Sequence, residues 1–159
     1  MNAVFLFVAR RLRWLIGVPL FPQLFDSLLL AWTFFTCRPR LAALEALQEA
    51  LETRVALAVH RFGGLEFRDA RDRELGHVHG HGLLDVHVGC APARTLIGEG
   101  RVRPHHIFPK SGWVSFQMDT PADVPFALTL LGIAEARNGD PQRPSPARLR
   151  FSRARIAGG

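Results

Sequence analysis

The sequence predicts an α+β fold, in which an antiparallel sheet of about five strands carries helices on one face and follows an apolar helical segment. Three observations predict it. From Leu41 to Val55, apolar residues recur at 41, 44, 47, 51 and 55 with Glu45, Gln48, Glu49 and Glu52 between them, a helical period with one apolar stripe. The spacing then drops to two over 55–62, 65–70, 74–79 and 83–88, and again over 112–118, as in strands with one buried face. A final stretch, from near Pro121 to about Arg137, has helical length, with Asp119 or Thr120 as its cap and Pro125 in its first turn.

The connections follow from turn chemistry. Gly63-Gly64 reads as a turn or bulge between the first two strands, and residues 69–73 (DARDR) as a polar turn. Gly80-His81-Gly82 is a three-residue hairpin loop with glycine where positive φ is needed. Pro92 starts a short helix over 92–99 that Gly100 ends, and RVRPHHIFPKS (101–111) is a loop. Residues 138–159 are rich in Pro, Ser, Arg and Gly and lack periodicity, which predicts a disordered basic tail. The chain thus divides into 1–40, an apolar helical segment, 41–137, the α+β domain, and 138–159, the tail.

Residues 14–37 contain one charge, Asp26, and two prolines, Pro19 and Pro22. Asp26 splits the segment into runs shorter than the roughly 18 residues a bilayer span needs, and the prolines predict a break near 19–22. Two short helices fit. They are expected at a membrane interface, anchored by Trp14, Trp32 and the arginines. Packing on the domain and a true span remain as alternatives.

The net charge is +6, and Lys110 is the only lysine among 20 basic residues. Residues 1–40 and 138–159 each carry five arginines against one aspartate, whereas the stretch between them has a small excess of acids. A basic fold that grips nucleic acid shows its charge on the folded body, so nucleic-acid binding is unlikely and stands only as an alternative function, through the tail. Cys37 and Cys90 form no CxxC pattern and read as free thiols. They suit a cytoplasmic location, peripheral to the inner face of the membrane if residues 1–37 bind there.

With the 80–82 loop setting the register, His79 pairs with Leu83, His77 with Asp85 and Leu75 with His87. Alternation then puts His77, His79, Asp85 and His87 on one face, and Val78, Leu84, Val86 and Val88 on the other. The last strand divides into Trp113, Ser115 and Gln117 against Val114, Phe116 and Met118.

Three ordered motifs, HRFGGLEF (60–67), ELGHVHGHGLLDV (74–86) and RPHHIFPKSGWVSF (103–116), resemble the luciferase-domain family of mostly uncharacterised bacterial and fungal proteins. The resemblance covers roughly residues 40–137. The strand–hairpin–helix order is also similar, more distantly, to the double-wing, frataxin-like fold. The family name implies light emission, an activity that these residues do not themselves indicate.

Six of the seven histidines lie between residues 77 and 106. They predict a small-ligand site on the polar sheet face, with His77, His79, Asp85, His105, His106, Ser111, Trp113 and Ser115 as candidates. His77, His79 and Asp85 are a workable two-His, one-carboxylate set for a divalent metal. The bland alternative is a polar face whose histidines hydrogen-bond to Asp85 and to backbone. His105 and His106 are adjacent, so at most one is expected to join. Ser111 suits a turn better than a nucleophile. There is no P-loop, GxGxxG or HExxH, and the sequence leaves any cofactor unknown. A small-ligand-binding module is the leading expectation, and an enzyme using metal or histidine acid/base groups is the alternative.

Overall fold

A computed structural model describes Phe7, Val18, residues 20–61 and residues 63–139. The expected tail, from residue 140 on, and most of the first 19 residues lie outside the described residues. Helices α1 (Phe21–Thr36) and α2 (Arg38–Leu51) come first, followed by strands β1 (Ala56–Val59), β2 (Leu65–Arg68), β3 (Glu74–Val78) and β4 (Leu83–His87). Helix α3 (Cys90–Gly98), strands β5 (Arg103–Pro104) and β6 (Trp113–Gln117), and helix α4 (Val124–Gly139) complete the order. The fold is α+β. All strand pairs are antiparallel, in the order β1-β2-β3-β4-β6-β5. The strand beyond the expected five is β5, two residues of the stretch expected to be a loop.

The core lies where alternation sends the apolar side chains. Phe67, Val78, Leu84, Val86, Val114 and Met118 are buried under Leu47 and Leu51 of α2, Leu96 of α3, and Leu130 and Leu131 of α4. Each such side chain contributes roughly 1.5–3 kcal/mol by leaving water. Pro121–Asp123 form a 3-10 turn ahead of α4 in which Asp123 accepts from the Thr120 backbone N–H, 2.9 Å away. The helix runs past its expected end at Arg137 because Asn138 is buried and donates to the Glu74 carbonyl, 3.3 Å away.

Helix α1 starts where the prolines predicted a break. Leu20 sits in the left-handed region at φ 64°, and Pro22 occupies the first turn. Among the described residues, no helix is long and apolar enough to cross a membrane. One side of α1 packs on the domain: Leu29 and Phe25 meet Leu83, and Gln23 Nε2 donates to the Arg61 carbonyl, 3.1 Å away. Two glycines permit this approach. A Cβ on Gly80 would lie 2.6 Å from Leu30 N, and one on Gly63 2.4 Å from the Pro22 carbonyl oxygen.

The hairpin register is the expected one, with His77 opposite Asp85 and the His79 N–H donating to the Leu83 carbonyl. One pairing differs. Phe67 pairs with Gly76 and Arg68 with Glu74, so Leu75 is an extra residue in β3, a bulge. Leu75 therefore enters the core, and Glu74 faces the polar side instead.

Candidate functional site: a histidine cage around Asp85

The sheet register lines up one transverse row. Glu66 of β2 pairs with His77 of β3, His77 with Asp85 of β4, Asp85 with Ser115 of β6, and Ser115 with Arg103 of β5. Directly paired residues share a face, so this row is the floor of the polar side. Asp85 is fully buried at its centre. Its Oδ1 accepts a hydrogen bond from the Ser115 hydroxyl.

Its Oδ2 is surrounded by imidazole. His79 Nε2 lies 3.6 Å away, His77 Nε2 3.7 Å, His105 Nε2 3.7 Å and His106 Nδ1 3.8 Å. These separations exceed hydrogen-bond length, and Asp85 Oδ2 is a buried atom without a hydrogen-bond partner. Both His105 and His106 reach the cage, contrary to the expectation that at most one would. The alternation behind that expectation applies to extended chain. Here the His105 ring accepts the backbone N–H groups of Ile107 and Phe108 at its Nδ1, 3.1 and 3.0 Å away, which curls the loop and stacks the two rings at 4.4 Å.

Outer partners fix the ring nitrogens. His77 Nδ1 donates to Glu74 Oε1 at 2.8 Å, and His79 Nδ1 to Asp26 Oδ1 at 3.0 Å. In His77 the nitrogen facing Asp85 is therefore the Nε2 that no longer needs to carry the proton. His105 has the opposite arrangement. With Nδ1 already accepting, its proton sits on Nε2 and points at Asp85.

Glu74, Asp26 and His60 belong to the site although the sequence reading did not include them. Glu74 reaches the polar face through the Leu75 bulge. Asp26 receives His79 and also the Gly80 backbone N–H, 3.2 Å away, so the single charge of the apolar segment is turned into the domain. His60 stacks on His77 at 3.7 Å and lies 3.5 Å from Glu74. A lone acid inside an apolar helix was the usable sign for Asp26, because such a group is buried only with a partner. Trp113 forms a wall, stacked on His87 at 5.0 Å and tilted over His77 at 5.6 Å. Ser111 is outside the cage: it is exposed, and its hydroxyl donates to the Phe108 carbonyl at 2.7 Å, closing a turn.

Burial and charge push these groups apart. Burial pulls His77 down to about 3, His60 and His106 to about 4, and lowers His105. Burial acts the same way on His79, but the Asp26 and Asp85 carboxylates outweigh it and hold that ring up at about 9. Burial would raise Asp85, yet the histidines around it keep its carboxyl well below the ordinary range. Glu74 is raised by burial. Two sets of donor atoms close enough to share an ion, His77-His79-Asp85 and Asp85-His105-His106, have Asp85 in common.

No curated protein and no solved structure matches the chain. The family model described as Luciferase domain matches residues 72–134, a span that holds the hairpin, the 101–111 loop, β6 and most of α4, and hence every cage residue around Asp85. Over those residues the chain is similar to the luciferase-domain family.

Proposed function

We propose that the domain is a small-ligand-binding module whose primary ligand is a divalent transition-metal ion, held by His77 Nε2, His79 Nε2 and Asp85 Oδ2. The observation that carries this reading is the cage itself, with imidazole nitrogens 3.6–3.8 Å from a buried carboxylate oxygen that has no hydrogen bond. Ligands about 2.0–2.1 Å from a shared tetrahedral ion lie about 3.4 Å apart; His77 Nε2 and His79 Nε2 are 3.7 and 3.6 Å from Asp85 Oδ2, and the three donor atoms lie within 4.8 Å of one another. Imidazole with carboxylate favours Zn²⁺, Fe²⁺ or Cu²⁺ over Mg²⁺ or Ca²⁺.

The outer partners support the same reading. A ligating histidine normally donates its other N–H to a carboxylate, as His77 does to Glu74 and His79 to Asp26. His105 is not among the ligands, because its Nδ1 lone pair is engaged by the Ile107 and Phe108 N–H groups and its Nε2 carries the proton. The cage residues are buried, which suits an ion better than a bulky organic ligand.

Calorimetric titration of chelator-treated protein with Zn²⁺ tests the proposal. One ion per chain should bind, with affinity lost in Asp85→Asn and retained within a few-fold in Ser111→Ala. A second reading, metal-free acid/base chemistry, draws on His79 near 9 and His77 near 3 flanking one carboxylate. It predicts no stoichiometric binding of Zn²⁺ and function that survives chelation.

A further inference from the structure

Helix α1 is two-faced in an unusual sense, because both of its sides are apolar. The side carrying Pro22, Asp26, Leu29 and Thr33 is buried against the domain. The opposite side repeats at i, i+4, i+8 and i+11 as Leu24, Leu28, Trp32 and Phe35, which are 61%, 60%, 64% and 81% exposed. Every exposed residue of this helix is uncharged, since its only charge, Asp26, is spent on His79 and Gly80. A helix at a protein–water boundary normally puts polar residues outward.

We propose that this outward face docks on an anionic lipid bilayer, with α1 lying in the interface plane. Charge complementarity selects that occupant. Arg10, Arg11 and Arg13 precede the helix in the chain, and Arg38 follows it, exposed, with its guanidinium 4.6 Å above the Phe34 ring. Arginines before and after an acid-free apolar stripe in the sequence suit negatively charged headgroups over acyl chains, and Trp32 is the side chain that prefers that boundary. A second copy of this chain would bring the same cations and repel them. The helix has 16 residues, which is enough to lie in the interface.

This anchor is fixed to the metal cage. Asp26 supports His79 from one side of the helix while Leu24, Leu28 and Phe35 face away on the other, so the cage is held a helix width from the bilayer.

Full-length protein is mixed with phosphatidylcholine vesicles, with and without about 30% phosphatidylglycerol, and sedimented. The proposal expects co-sedimentation with the anionic vesicles and at least about tenfold weaker binding to the neutral ones. It also expects a blue shift of tryptophan emission that disappears in Trp32→Phe, and at least tenfold weaker binding in the triple variant Leu24→Gln, Leu28→Gln, Phe35→Gln. All three positions are exposed, and an unchanged melting temperature checks that the variant folds. Undiminished binding by that variant assigns the membrane contact to another segment and overturns the proposal. So does an absence of vesicle binding, whether the chain is a monomer or a dimer that the triple variant splits.

Discussion

Glu74 and His77 lie on the same face of one strand although they are three positions apart, with Glu74 Oε1 2.8 Å from His77 Nδ1. The Leu75 bulge makes this possible, and it fixes which nitrogen of His77 faces Asp85. Removing the carboxylate charge while keeping the shape should therefore weaken metal binding at the proposed site without dismantling the sheet. Glu74→Gln is expected to lower Zn²⁺ affinity roughly 10–100-fold, read by competition with a chromophoric chelator. A merely structural Glu74 would change the melting temperature and leave the affinity alone.

The glycine of the hairpin loop is a packing requirement. Gly80→Ala would place a Cβ 2.6 Å from Leu30 N and 2.7 Å from the Asp26 carbonyl oxygen, both backbone atoms that cannot move alone. The expected cost is about 1–3 kcal/mol, read as a lower urea midpoint, with loosening of α1 and loss of the Asp26–His79 contact. Unchanged stability would mean that α1 is not seated on the hairpin.

The ion-free protein should be most stable near neutral pH. His60, His77, His81 and His106 are held down at about 4, 3, 3 and 4 against an ordinary 6.5, so the unfolded chain takes up protons that the folded one refuses. Stability therefore falls as pH drops from about 6.5 towards 4. His79 works in the opposite direction. Raised to about 9, its contribution is complete below 6.5 and is lost as pH rises through 9. Thermal melts of chelator-treated protein should peak between about pH 6 and 7 and fall by several degrees at pH 4.5. A melting temperature that climbs steadily to pH 9 would contradict this.

The end of α4 sets where the chain can be cut. Asn138 is buried and bonds to the Glu74 carbonyl, so a chain ending at Arg137 should melt several degrees below one ending at Gly139. Equal melting temperatures would show that Asn138 contributes nothing.

Much of this architecture was legible in the sequence. Period-two spacing and the Gly80–Gly82 loop placed His77 opposite Asp85, and the same alternation put Ser115 on the polar side with Asp85 and sent Val86, Leu84 and Val114 into the core. Three kinds of information were out of reach. A bulge leaves no compositional mark, so strict alternation hid Glu74. The curl that brings His105 and His106 in together depends on backbone N–H groups that any residue supplies, so the side chains did not announce it. Asp26 is 53 residues from His79, and only the folded chain shows that the charge interrupting an apolar run is a partner for a histidine.

The most direct test of the central claim is the anomalous difference map of a crystal soaked in Co²⁺. A single strong peak is predicted about 2.0–2.2 Å from His77 Nε2, His79 Nε2 and Asp85 Oδ2, with His105 outside bonding distance. No peak among these residues, or a peak held by His105 in place of His77 and His79, would contradict it.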